Sequence, residues 1–220
     1  MGKCLLRHCI EMLALVAWNF VGRMEPSIAY TWGSTAQERQ MVFPCDRYMS
    51  DSDDVYFRAI AVQAPAHILF RWLCQLKVAS YSYDSIDKLE RVFFKGQERI
   101  PNAYSPQELT PGTETLAPEQ RFMGVFKLVE FEQNRHLTII LDSPLAIAIF
   151  GDIAASYVIF PLTDKFCRLV LKGHVRYPRN SFWAWIRWVE PWGDLLMMRK
   201  QFFRLKHLAE NEAARNCENT

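Results

Sequence analysis

No two of the six cysteines, at positions 4, 9, 45, 74, 167 and 217, have two residues between them, and their spacing suggests no pairing. A zinc knuckle, a dithiol redox motif and a disulfide framework are therefore excluded as organising features. Cysteines of this kind behave as small hydrophobes in a reducing compartment, so a cytoplasmic setting is expected. Glycine is scarce and scattered: nine residues, each isolated, leave no phosphate-cradling loop. A nucleophile elbow is missing too. Charge of one sign is also lacking. The formal net charge of +2 gives no basic excess for a nucleic-acid partner. His67, His136 and His207 share no ligand spacing with acids or cysteines, so neither a metal nor a cofactor is expected.

What the chain does carry is core-forming material. Half of its residues are hydrophobic and 14% are aromatic, enough for one sizeable domain in 220 residues. Residues 3–22, KCLLRHCIEMLALVAWNFVG, begin basic and continue apolar, as a signal peptide or short anchor does. Glu11 and Asn19 interrupt the run and no small-residue cleavage site follows, which speaks against both. Leu5, Cys9, Met12, Val16 and Phe20 recur at helical spacing and predict an amphipathic helix. Membrane contact is thus expected only through residues 1–23. Met24 is an alternative start that would make this segment an upstream extension.

Loop-like sequence from Ser27 to Met49 leads into DDVYFRAIAVQ, a predicted strand over 53–63. Tyr56, Arg58, Ile60 and Val62 share one of its faces; Val55, Phe57, Ala59 and Ala61 share the other. Ala64-Pro65-Ala66 ends the strand and opens an amphipathic helix with Ile68, Leu69, Trp72, Leu73 and Leu76 inward. CQLKVASYSYDSID follows, then a second short helical pattern through Ile86 and Leu89 to Phe93. Four prolines between Gly96 and Glu119 mark irregular chain. Strands are predicted over 121–132, 136–142, 144–150, 152–162 and 165–178, joined by short polar turns that favour antiparallel hairpins. In the last of these, Cys167, Leu169, Leu171, Gly173 and Val175 alternate with Arg168, Lys172, His174 and Arg176, with Val170 as the exception. A long helix follows, predicted to start at Pro191, with Leu195, Met198, Phe202, Leu205 and Ala209 as its apolar stripe. The order is that of an α+β domain with an antiparallel sheet.

FRAIAVQAPAHILFRWLCQL, GDIAASYVIFPL, CRLVLKGHVRYPR and GDLLMMRKQFFRLKHLAE resemble, in this order, stretches of the START-like (SRPBCC) helix-grip superfamily. The likeness covers residues 42–212, with an N-terminal extension at 1–41 and a tail at 213–220, and the later stretches look like those of an uncharacterised bacterial branch. It implies a curved antiparallel sheet wrapped around the C-terminal helix, two short helices after the first strand, and a cavity between sheet and helix. Members bind lipids, polyketides or terpenoid-like molecules there, and some are cyclases or aromatases. None of these stretches is a catalytic signature.

A hydrophobic small molecule is accordingly the expected partner, held by an apolar lining with a few polar groups. The residues expected to contact it are Trp72, Tyr81, Tyr83, Asp84, Tyr157, Arg168, Trp192, Met198 and Phe202. The alternative is an enzyme of this fold, in which Asp84, Tyr83 and His174 are the candidates for general acid–base work. Each has an ordinary reading beside it. Asp84 and Asp87 suit a helix first turn, the apolar residues suit plain core packing, and His174 suits a strand surface.

Overall fold

The structure is a computed structural model that describes residues 26–82, 106–179 and 186–218. Two short helices, α1 (Pro26–Thr31) and α2 (Ala36–Gln40), and a 3-10 turn (Pro44–Arg47) precede strand β1 (Asp54–Val62). Helix α3 (Ala66–Cys74) and a 3-10 turn (Gln75–Lys77) follow. Then come β2 (Arg121–Phe122), β3 (Phe126–Glu132), β4 (His136–Leu141), helix α4 (Pro144–Phe150), β5 (Asp152–Thr163), β6 (Phe166–Arg176) and helix α5 (Ile186–Glu218). The strands form one curved, wholly antiparallel sheet of order β1-β6-β5-β4-β3-β2, and α5 lies along it. This is the helix-grip arrangement expected from the sequence. Among the described residues no helix is long and apolar enough to cross a membrane.

The face of the sheet toward α3 and α5 carries the main core. Val62, Leu128, Leu137, Ile139, Leu169 and Leu171 pack there against Leu69, Leu73, Phe202 and Leu205. The opposite face is covered as well. Phe43, Cys45 and Met49 pack on Phe57, Ala59, Ala154 and Val170, which explains why Val170 breaks the apolar–polar alternation of β6. The segment predicted as loop from 27 to 49 therefore holds short helical pieces that cover the edge and back of the sheet. Thr35 accepts from the Glu38 N–H while Glu38 accepts from the Thr35 N–H, a capping box that sets the start of α2. Helix α1 packs on β1, and α5 runs on to Glu218.

Three predicted elements need correction. Residues 144–150, PLAIAIF, form a helix rather than a strand. Ser143 caps its N-terminus, Pro144 occupies the first turn, and Gly151 ends it, so the caps override the β-propensity of the two isoleucines. The strand predicted over 121–132 is split by a turn at Met123 and Gly124, with φ of 48° and 76°. Helix α5 is already formed at Ile186, so Pro191 lies inside it instead of opening it. The second short helix predicted through Ile86 to Phe93 lies outside the described residues.

Candidate acid–base site

The seam between β1 and α5 is set by two matching repeats. Two strand residues advance about 6.7 Å and four helical residues about 6 Å. Alternate side chains of β1 therefore meet every fourth side chain of α5 where the two run in the same direction. Tyr56 and Arg58 of β1 meet Glu190 and Asp194 of α5 in this way, and the Gln63 N–H donates to Glu210 further along at 2.7 Å.

Tyr56 donates to Glu190 Oε2, and the same oxygen accepts from Tyr177 just past β6 at 3.2 Å. The two phenol oxygens are 2.5 Å apart. Both tyrosines are buried, and burial with the nearby Glu190 carboxylate drives both hydroxyls well above the ordinary phenol value. They stay protonated and act as hydrogen-bond donors. Burial, reinforced by the Asp194 carboxylate one turn on, pushes Glu190 up to about 7, against the opposing pull of Tyr56, Tyr177 and Arg58. Near neutral pH the triad thus holds a carboxyl that can either give or take a proton.

Arg58 is fully buried, with 0% of its side chain exposed, whereas Asp194 keeps 22% open. Its Nε and Nη2 both reach Asp194 Oδ2, at 3.0 and 2.5 Å, and Nη1 donates to the Phe57 carbonyl at 2.8 Å. The guanidinium also lies 5.3 Å from the Tyr56 ring centroid. Burial raises the Asp194 carboxyl and Arg58 opposes that rise.

The surroundings of the triad are of two kinds. Tyr30, Ile149, Phe150 and Ile153 are half-covered apolar side chains packed on Tyr56, Val175 and Tyr177. On the other side Tyr177 forms part of a cleft of about 130 Å³ shared with Asp51, Asp53, Arg176, Arg179 and Arg187. The Arg187 guanidinium stands 5.1 Å from the Tyr177 ring centroid. Tyr177 therefore joins a half-buried carboxyl to a solvent-open cleft.

The residues singled out from sequence separate into four places. Trp72, Tyr81, Tyr157 and Phe202 are buried in the main core with their polar atoms paired internally. Trp72 donates to Glu212 at 2.7 Å, Tyr157 to Gln201 at 2.8 Å and Tyr81 to the Pro106 carbonyl at 3.1 Å. Trp192 and Met198 lie half-buried on α5, Met198 against that core. Arg168 and His174 stand on the opposite face of the sheet, away from α5: Arg168 pairs with Glu38, and His174 lies between Ser52 and Asp46. Their outward position follows from the period-2 alternation of β6, and it separates His174 from any site beside α5. Tyr83 and Asp84 lie outside the described residues. Sequence reasoning passed over Glu190 and Asp194, although Arg58 on an otherwise apolar inward face signals a buried acidic partner.

No protein-family model matches the chain, and no curated protein matches it. Solved structures that it resembles include a protein from Nitrosospira multiformis, at 13% identity over 73% of this chain and 99% of that one, TM-score 0.42. The di-domain ARO/CYC BexL from the BE-7585A biosynthetic pathway matches at 13% identity over 71% of this chain and 46% of that one, TM-score 0.40. Norcoclaurine synthase from Thalictrum flavum matches at 12% identity over 70% and 85%, TM-score 0.41.

Proposed function

We propose that the chain binds a largely apolar small molecule at the end of the sheet where Tyr177, bonded to Glu190, packs beside α4. The observation that supports this reading is the placement of two buried tyrosines, hydrogen-bonded to one half-buried carboxyl, beside half-covered Ile149, Phe150 and Tyr30. A flat apolar body rests against those side chains, and a hydroxyl or carbonyl on it bonds to Tyr177 or Glu190. The test uses 2-naphthol, whose fluorescence reports binding. One hydrogen bond is worth about threefold to tenfold in affinity, so Tyr177→Phe and Glu190→Gln are each expected to weaken binding by that factor. Equal affinity in wild type and both folded variants, or no binding at all, rejects the reading. Native mass spectrometry of the protein as purified, followed by extraction, would identify a resident ligand.

A second reading is favoured by the Glu190 carboxyl near 7: proton transfer on a bound carbonyl compound, as in a cyclase, aromatase or isomerase. Its signature is a rate governed by a group titrating near pH 7 and lost in Glu190→Gln.

The same carboxyl makes stability depend on pH. Its folded-state value lies above the ordinary one, so the folded chain holds a proton that the unfolded chain releases. This contribution is fully present below the ordinary carboxyl value and is lost as pH rises toward and through about 7. Glu190→Gln is expected to flatten that decline, leaving the variant more stable relative to wild type at pH 8 than at pH 5. Urea midpoints at the two pH values read this directly, and an unchanged difference would show that the folded chain gives Glu190 no raised affinity for its proton.

A further inference from the structure

On the face of the sheet away from α5, three side chains that can ligate a metal converge. One ligand atom from each of Cys45, Asp46 and His174 lies within 4.8 Å of the others, a grouping found once among the described residues. His174 Nε2 is 2.7 Å from Asp46 Oδ1, and Cys45 Sγ is 4.0 Å from the same oxygen. A tetrahedral zinc ion holds sulfur at about 2.3 Å and nitrogen or oxygen at about 2.0 Å, which puts its ligand atoms about 3.3–3.6 Å apart. Changes of about 1.3 Å or less in these separations therefore turn this cluster into three corners of a tetrahedron.

The residues behind the cluster hold it in orientation. His174 Nδ1 is 2.8 Å from Ser52 Oγ, so Nε2 is left turned toward Asp46 and Cys45. Asp46 Oδ2 accepts from the Phe43 N–H at 2.9 Å, which presents Oδ1 to the cluster. The Cys45 N–H donates to Ser156 Oγ at 2.8 Å, and Ser156 is itself paired with Thr138 at 2.8 Å. Each ligand-bearing residue thus has an anchoring partner outside the ligand set, the arrangement that orients metal ligands. The opposing group is Lys172, whose Nζ lies 2.7 Å from Asp46 Oδ1. In the same position that ammonium stands 5.7 Å from the ring centroids of both Phe43 and Phe57.

We propose that Cys45, Asp46 and His174 bind one thiophilic divalent metal ion of the zinc type, with Lys172 neutralising Asp46 when the metal is absent. The mixed sulfur, nitrogen and oxygen set suits zinc or cobalt(II) and not magnesium or calcium, which take oxygen ligands. Binding converts the Cys45 thiol to a metal thiolate and releases its proton to solvent. The half-exposed Asp46 gives the ion its way in, and the bound ion ties residues 43–52 to β6. This site lies on the face of the sheet opposite the triad and does not depend on the small-molecule reading.

Cobalt(II) titration of the reduced full chain tests it. One equivalent is expected to produce a near-ultraviolet thiolate-to-cobalt charge-transfer band with the visible bands of a four-coordinate ion, all displaced by zinc. Cys45→Ser is expected to remove the charge-transfer band, whereas Cys217→Ser and the paired Cys4→Ser/Cys9→Ser change leave it. Ser52→Ala, which removes only the partner of His174, is expected to weaken zinc by about 10- to 100-fold in competition with a chromophoric chelator. Lys172→Met is expected to strengthen it. No band in the wild type, or a band that survives Cys45→Ser, overturns the proposal. Should Cys45→Ser not fold, unchanged zinc affinity in both His174→Ala and Ser52→Ala overturns it instead.

Discussion

Replacing Asp194 by alanine is expected to destabilise the protein by about 3–5 kcal/mol, because it strands a buried guanidinium without its carboxylate. Arg58 has no exposed side-chain surface and cannot turn to water, and the Phe57 carbonyl alone does not neutralise it. The reciprocal change, Arg58→Met, should cost less, since Asp194 keeps 22% of its side chain open and can be hydrated in place. The double variant Arg58→Met/Asp194→Leu should recover most of the loss, as an apolar pair often matches a buried ion pair. In a chain of 220 residues each kcal/mol moves the melting temperature by about 2–4 °C, so the single Asp194 variant should melt roughly 10 °C early. Chemical denaturation of the three variants gives the ordering. A loss below about 1 kcal/mol for Asp194→Ala would mean the pair behaves as a surface ion pair.

That variant also reports on the triad. Asp194 is the charge that reinforces burial in raising Glu190, and Arg58 opposes the rise. Removing Asp194 takes away the first influence and leaves the second, so the Glu190 carboxyl should fall from about 7. The pH window over which stability declines should narrow from its upper end.

How far the sequence carries this reading depends on the kind of signal. Period-2 alternation placed the two faces of β1 and β6 correctly, because both strands are packed on both sides and a one-residue slip would exchange the faces. The stripe Leu195, Phe202, Leu205, Ala209 likewise marked the buried side of α5. Residues 144–150 failed because hydrophobic pattern cannot separate a short apolar strand from a short apolar helix; Ser143-Pro144 and Gly151 carried the deciding information. The candidate site was less legible. Tyr56 and Tyr177 are 121 positions apart and Tyr56 and Glu190 are 134 apart, so no local spacing announces them. His174 was visible as a polar residue in a strand, but its partner Asp46 comes from the segment that read as loop and Ser52 from the short link between that segment and the first strand.

The second large effect is expected at Gly151, which joins α4 to β5. Its φ of 85° and ψ of −168° fall in a region essentially reserved for glycine, where another residue costs about 1–3 kcal/mol in backbone strain alone. A Cβ there would also overlap the Arg176 carbonyl oxygen and come within 2.8 Å of its carbon and 2.9 Å of the Tyr177 Cα. All of these neighbours are backbone, so no side chain can swing aside. Gly151→Ala must therefore push β6 and α4 apart at the point where Tyr177 leaves the sheet, and a loss of at least about 3 kcal/mol is expected. Gly112, whose added Cβ would meet nothing within 4 Å, is the control: it shares a positive φ of 83° but should lose only the strain. Because the displaced backbone carries Tyr177, Gly151→Ala should weaken 2-naphthol more than Gly112→Ala does even where both remain folded. Equal melting temperatures for the two variants would show that the α4–β6 contact yields without cost. Equal naphthol affinities, with Gly151→Ala less stable, would separate the strength of this corner from the position of Tyr177.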